Sequence, residues 1–242
     1  MKKYFFLFCI VLILFGNHAW PPSSSASTKV INLVALGDSI THGSGDPSKK
    51  GYIERMKVKL EEKKSMPVQV SNFGIPKYTT ENILAQLKDG KIKKQIKKAN
   101  YILLYIGTND FRKSAGYKFN QLDVKKINQG KLTFSANLHQ ILDNMRNENS
   151  TAPIIVLGLY HPYVEYQNHQ EILKVIEHWN NEIVDVIGDF DQTFFVPTLD
   201  LFQNKPKKIY FSDSLHPNPA GYQLIAERLL KKAILLEGHS DH

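Results

Sequence analysis

The sequence predicts an α/β protein: a mainly parallel sheet of about five strands, covered by helices on both faces. Three observations predict it. Short apolar, β-branched runs alternate with longer segments of helical spacing, the pattern of strands joined by crossover helices. The runs are apolar almost throughout, as strands buried on both faces are. The first three of them stop at a glycine, Gly37, Gly74 and Gly107. The chain has 242 residues, with no internal repeat and no second linker, so it reads as one domain after a leader.

The leader comes first. Met1-Lys2-Lys3 is basic, and residues 4–15 are unbroken apolar sequence. That run is too short to span about 30 Å of hydrocarbon as a helix and has the length of a signal-peptide core. Ser24-Ser25-Ala26 then puts small side chains at the cleavage-defining positions. Residues 1–26 are therefore expected to be a signal peptide or an N-terminal anchor, and residues 27–242 the functional domain. The expected location is outside the cell, secreted or loosely held at the outer face of the cytoplasmic membrane. The only cysteine, Cys9, lies in the leader, so the remainder suits an oxidising exterior.

The body follows in order. Residues 30–36 form a β-branched strand ended by Gly37. Residues 51–64 have helical spacing, with Ile53, Met56 and Leu60 on one face. Residues 68–73 are a second strand, and Thr79 or Thr80 can cap a helix carrying Ile83, Leu84 and Leu87. Residues 101–106 give the third strand, and residues 132–145 a long helix. Residues 154–159 are the fourth strand, 171–187 a helix, 193–196 a weak fifth strand and 219–236 a closing helix.

Composition excludes several classes. Apolar residues make up 42% and charged residues 22%, ordinary for a soluble domain and unlike a disordered or multi-span membrane chain. The net charge of +8 favours contact with an anionic wall or membrane surface. No CxxC pair or HExxH is present, so neither a metal site nor a cofactor is expected. Lysines cluster over residues 88–98, but Ile92 and Ile96 lie one turn apart there, which fits a solvated helix packed on the sheet. No aromatic residues interleave with the lysines, so nucleic acid is not an expected partner. Residues 111–130 read as a lid or a surface excursion, and Tyr160, Tyr163 and Tyr166 as pocket lining or packing.

In open parallel sheets, ligands bind at the carboxyl ends of the strands. Three loops lie there: Gly37-Asp38-Ser39-Ile40-Thr41, the turn at Gly74, and Gly107-Thr108-Asn109-Asp110. Ser39 leaves the first strand through a glycine turn, and a serine needs a base to become a nucleophile. Among nine histidines, His42 has no evident carboxylate beside it, and His139 and His178 fall in helical patterns. His161 follows the fourth strand and is held in reserve, while His239 and His242 lie in the charged tail. His216 stands in Asp213-Ser214-Leu215-His216-Pro217, where a carboxylate three residues back can accept its Nδ1–H and leave Nε2 facing a serine.

These blocks, in this order, resemble those of the SGNH hydrolases, the GDSL-type esterases and lipases, and the resemblance runs from Val30 to the closing helix. It implies a flavodoxin-like three-layer α/β/α fold and hydrolysis of esters or thioesters. It also implies Ser39 as nucleophile, His216 as base and Asp213 as the orienting acid. The Ser39 N–H, the Gly74 N–H and the Asn109 side-chain amide correspond to the oxyanion hole, and Asp110 is read as structural. Leu157-Gly158-Leu159-Tyr160 resembles small lysophospholipase-like bacterial members. The expected substrate is thus a lysophospholipid-like or other small acyl ester. An O-acetyl esterase or acyltransferase acting on a wall glycan or polymer is the alternative, and a non-catalytic glycan-binding module is more remote. One departure stands out: Lys77 occupies a position where the family often has glycine.

Overall fold

The computed structural model describes residues 29–237, and the expected leader lies outside them. Strands β1 (Ile31–Gly37), β2 (Val68–Gly74), β3 (Tyr101–Tyr105), β4 (Ile154–Leu157) and β5 (Thr193–Val196) form one sheet in the order β2-β1-β3-β4-β5. Every neighbouring pair is parallel. The apolar runs of β1, β3 and β4 are interior strands buried on both faces, whereas β2 and β5 are edges with partly exposed residues. Edge position explains why the β5 signal is weak: one flank of that strand has no partner to bury it.

Helices α1 (Ser39–His42) and α2 (Gly51–Lys64) connect β1 to β2, and α3 (Thr80–Gln86) and α4 (Gly90–Lys98) connect β2 to β3. Next come α5 (Thr108–Ser114), α6 (Val124–Glu148) and α7 (His169–Ile187). Short α8 (Leu199–Phe202) and α9 (Lys207–Tyr210) precede the closing α10 (Pro219–Glu237). α10 packs on α2, while α6 gathers α3, α4, α5 and α7 into a second group. In α4 the isoleucines Ile92 and Ile96 are buried and the lysines face outward, as the spacing predicts.

α6 begins eight residues earlier than the apolar pattern indicates, because its first turns bury only Ile127. Asp123 caps it by accepting from the Lys126 N–H at 3.1 Å. Gly130 lets α5 come close there: a Cβ on it would lie 2.3 Å from that of Ser114. Residues 111–130 thus comprise the end of α5, a short link and the start of α6. Phe111 and Phe119 pin that link, with ring centroids 5.8 Å apart, and Phe119 stacks on Tyr163 at 4.3 Å.

The strand order reverses direction about β1. Chain leaving β1 goes to one side and chain leaving β3 to the other, which opens a crevice at their carboxyl ends. Ser39 and Asn109 stand at the two lips of that crevice.

Candidate active site

Ser39 opens the one-turn helix α1, and the buried Asp38 caps the turn by accepting from the Ile40 N–H at 2.9 Å. His216 comes from a short loop 177 residues away in sequence, and its Nε2 lies 3.0 Å from Ser39 Oγ. Its Nδ1 lies 2.7 Å from Asp213 Oδ2. The other Asp213 oxygen accepts from the Leu215 and His216 backbone N–H groups, both at 2.7 Å, so one carboxylate shapes the turn and orients the ring. Burial pushes the Asp213 carboxyl up. The hydrogen bonds from the backbone and ring of His216 and from Leu215 outweigh that and hold it below the usual carboxylate range.

Further contacts fix the loop. Tyr160 Oη donates to the Leu215 carbonyl at 2.8 Å, and the Ser212 N–H donates to the His216 carbonyl at 2.9 Å. From α10, Tyr222 Oη donates to the Ser44 carbonyl at 2.6 Å, which ties the closing helix to the nucleophile loop. Tyr160 is therefore a brace for His216, a role that residue type alone does not signal.

Gly74 lies against α1, where a Cβ would approach the His42 nitrogen to 2.5 Å. Its N–H donates to Asn72 Oδ1 at 2.9 Å, and Asn72 Nδ2 donates to the Thr41 carbonyl at 2.9 Å. Asn109 is buried, and its Nδ2 donates to the Tyr78 carbonyl at 2.9 Å. The second hydrogen of that amide is held loosely, with Asp38 Oδ2 3.4 Å away. Both groups that the resemblance assigns to the oxyanion hole thus flank Ser39 but carry internal hydrogen bonds. A substrate oxygen would take the loosely held Asn109 hydrogen and exchange with Asn72 for the Gly74 N–H. Lys77, at the position where the family often has glycine, has a left-handed φ of 69°.

Burial raises the Asp38 carboxyl to about 7 against the pull of the Ile40 N–H. His161, the reserve base, does not reach Ser39. Its two ring nitrogens are buried without a hydrogen-bond partner, and burial, with lesser contributions from His169 and Lys207, pushes it down to about 4. His42 Nδ1 lies 3.3 Å from the Gly74 carbonyl, His139 packs on Phe190, and His178 is exposed. His239 and His242 fall outside the described residues.

Tyr160 and Tyr163 are packed side chains, and Tyr166 is partly buried against them. With Thr108, Phe111, Pro162 and Leu215, the first two line an apolar cleft of only about 10 Å³.

Residues 35–224 match the GDSL-like Lipase/Acylhydrolase family. The chain is 32% identical over 212 residues to the uncharacterized protein YpmR of Bacillus subtilis, covering 86% of this chain and 83% of that one. It is 26% identical over 204 residues to the spore germination lipase LipC of Bacillus licheniformis, covering 82% and 94%. Among solved structures, the lipase Lip_vut3 from a goat rumen metagenome superposes with a TM-score of 0.70 at 25% identity, covering 82% of this chain and 95% of that one.

Proposed function

The chain belongs to the GDSL-like Lipase/Acylhydrolase family and is an ester hydrolase of that type, and on this basis we propose that Ser39, His216 and Asp213 cleave small acyl esters through an acyl-enzyme. The observation that carries this is the line Ser39 Oγ, His216, Asp213, with contacts of 3.0 and 2.7 Å at the sheet's switch point. Ser39 Oγ attacks the ester carbonyl as His216 Nε2 takes its proton. Asp213 holds the imidazole in the required tautomer and stabilises the imidazolium that forms. Negative charge on the former carbonyl oxygen falls to the Ser39 N–H, to the loosely held Asn109 amide hydrogen and, once it exchanges with Asn72, to the Gly74 N–H. The imidazolium then protonates the leaving alcohol, and water, activated by the same histidine, releases the acid from Ser39.

For the substrate we favour lysophospholipid-like acyl esters, supported by the lipase names of two of the similar proteins. A second reading, deacetylation of a wall glycan or polymer, is favoured by the small size of the apolar cleft beside Leu215, the residue next to His216. A screen of monoacyl esters from acetyl to palmitoyl, run beside an O-acetylated glycan, separates the two. Turnover rising with chain length on lysophospholipid supports the first reading. Activity confined to acetyl esters would overturn it in favour of the second.

The proposed location is extracellular, free or held by the leader, supported by the basic start and the apolar residues 4–15. Mass spectrometry of the native protein is expected to find an N-terminus near Ser27 outside the cytoplasmic membrane. An intact Met1 in the membrane fraction indicates the anchor, and an intact chain in the cytosol would refute export.

A further inference from the structure

Gly74 closes β2, paired with Gly37 of β1, and Asn109 follows β3, which is not a neighbour of β2. β1 lies between them, with Ser39 at its end. Strands separated by one other are about 10 Å apart. The ladder holds Gly74 itself, but beyond the strand ends it no longer sets residues 76–80 against the Asn109 turn. The Asn109 amide, four residues past the end of β3, therefore needs a separate device to hold it at a fixed distance from Gly74.

Such a device spans the gap. Asp110, next to Asn109, accepts from the Thr80 N–H on both carboxylate oxygens, at 3.1 and 3.2 Å. It also accepts from the Thr80 hydroxyl on Oδ1 at 2.5 Å. Thr80 is wholly buried, and Asn137 of α6 donates Nδ2 to its hydroxyl oxygen at 3.0 Å, so that oxygen both donates and accepts. Two residues before Thr80 is Tyr78, whose carbonyl holds the Asn109 amide at 2.9 Å. The consecutive residues Asn109 and Asp110 thus grip the opposite loop at Tyr78 and Thr80. Enclosure pushes the Asp110 carboxyl up more than the Thr80 bonds pull it down. A partly buried carboxylate is a costly way to secure a loop for packing alone.

We propose that Asp110 and Thr80 are positioning residues for ester hydrolysis, clasping the Gly74 loop to the Asn109 turn across β1 and so fixing the spacing of the oxyanion donors. The proposal rests on the reading of Asn109 as an oxyanion donor. Neither residue touches substrate; each acts through the amide and the loop that it holds.

The test is a set of variants of the full mature chain, assayed on a soluble aryl acetate with thermal melts alongside. Thr80→Val keeps the backbone bond and the shape but removes the hydroxyl, and should lower kcat about tenfold to a hundredfold, the scale of a small misplacement of catalytic groups. KM should stay within about twofold, because only the transition state is affected. Asp110→Asn retains Oδ1 for both Thr80 donors and should be milder than Asp110→Ala. Because Asp110→Ala can fail to fold, Thr80→Val carries the decision. In the double variant Thr80→Val/Asn109→Ala, the rate should match that of Asn109→Ala alone, since the clasp then has no amide to position. A folded Thr80→Val enzyme with wild-type kcat, or losses that multiply in the double variant, would overturn the clasp. Wild-type kcat in Asn109→Ala alone would instead overturn the oxyanion reading beneath it.

Discussion

Ser39→Ala is expected to lower kcat by about a millionfold, the scale seen when the nucleophile of such a triad is removed, and to leave only about 10³- to 10⁴-fold acceleration over water. The large effect follows from the chemistry. Without Oγ no acyl-enzyme forms, and His216 and Asp213 lose the group they serve. The fold should survive. The cap on α1 comes from Asp38 to the Ile40 N–H and not from Ser39, and alanine is smaller than the side chain it replaces. The melting temperature should therefore stay close to wild type, and a serine-reactive fluorophosphonate should label the wild-type chain but not the variant. His216→Ala should cost nearly as much, and the double variant little more, because the groups act as a unit. Turnover near wild type in Ser39→Ala would remove Ser39 from the mechanism and with it the acyl-enzyme.

Asn109→Ala should lower kcat by about 100- to 1,000-fold, or about 2.7–4 kcal/mol, with little change in KM. The amide hydrogen that Asp38 holds loosely at 3.4 Å is the one that a developing oxyanion can take. In the ground state the carbonyl oxygen is a weaker acceptor, so the loss appears in kcat. Asn109→Asp should be no better. An ionised carboxylate cannot donate, and it would stand against Asp38 Oδ2 and the Tyr78 carbonyl where the amide now stands. A variant that raises KM alone would show that Asn109 binds substrate rather than the transition state. Steady-state kinetics on one soluble ester settles it.

The sequence by itself determined the elements whose signals are local. β1, β3 and β4 are legible because a parallel strand buried on both faces must be apolar throughout, and few other structures in a short segment make that demand. The geometry between Asp213 and His216 is legible for the same reason. Residues three apart in a turn meet whatever the remainder of the chain does, and here one carboxylate accepts both backbone N–H groups and faces the ring. The resemblance added the partners, and the fold places them along one edge of the sheet.

Tertiary structure decided the remainder. The polar start of α6 has almost no apolar periodicity, so its helix is visible only through the Asp123 cap and the packing of Gly130 on Ser114. His161 follows a strand just as a catalytic base might, and only its surroundings show that both ring nitrogens are enclosed without a hydrogen-bond partner and that burial disfavours its charged form. Lys77 in a left-handed turn, Tyr160 bracing Leu215 and Thr80 gripping Asp110 all depend on partners distant in sequence. A residue's type fixes what bonds it can make. Which group lies within 3 Å to accept or donate them is fixed by how five strands and their crossovers pack, and here that packing brings Ser39 to His216 across 177 residues.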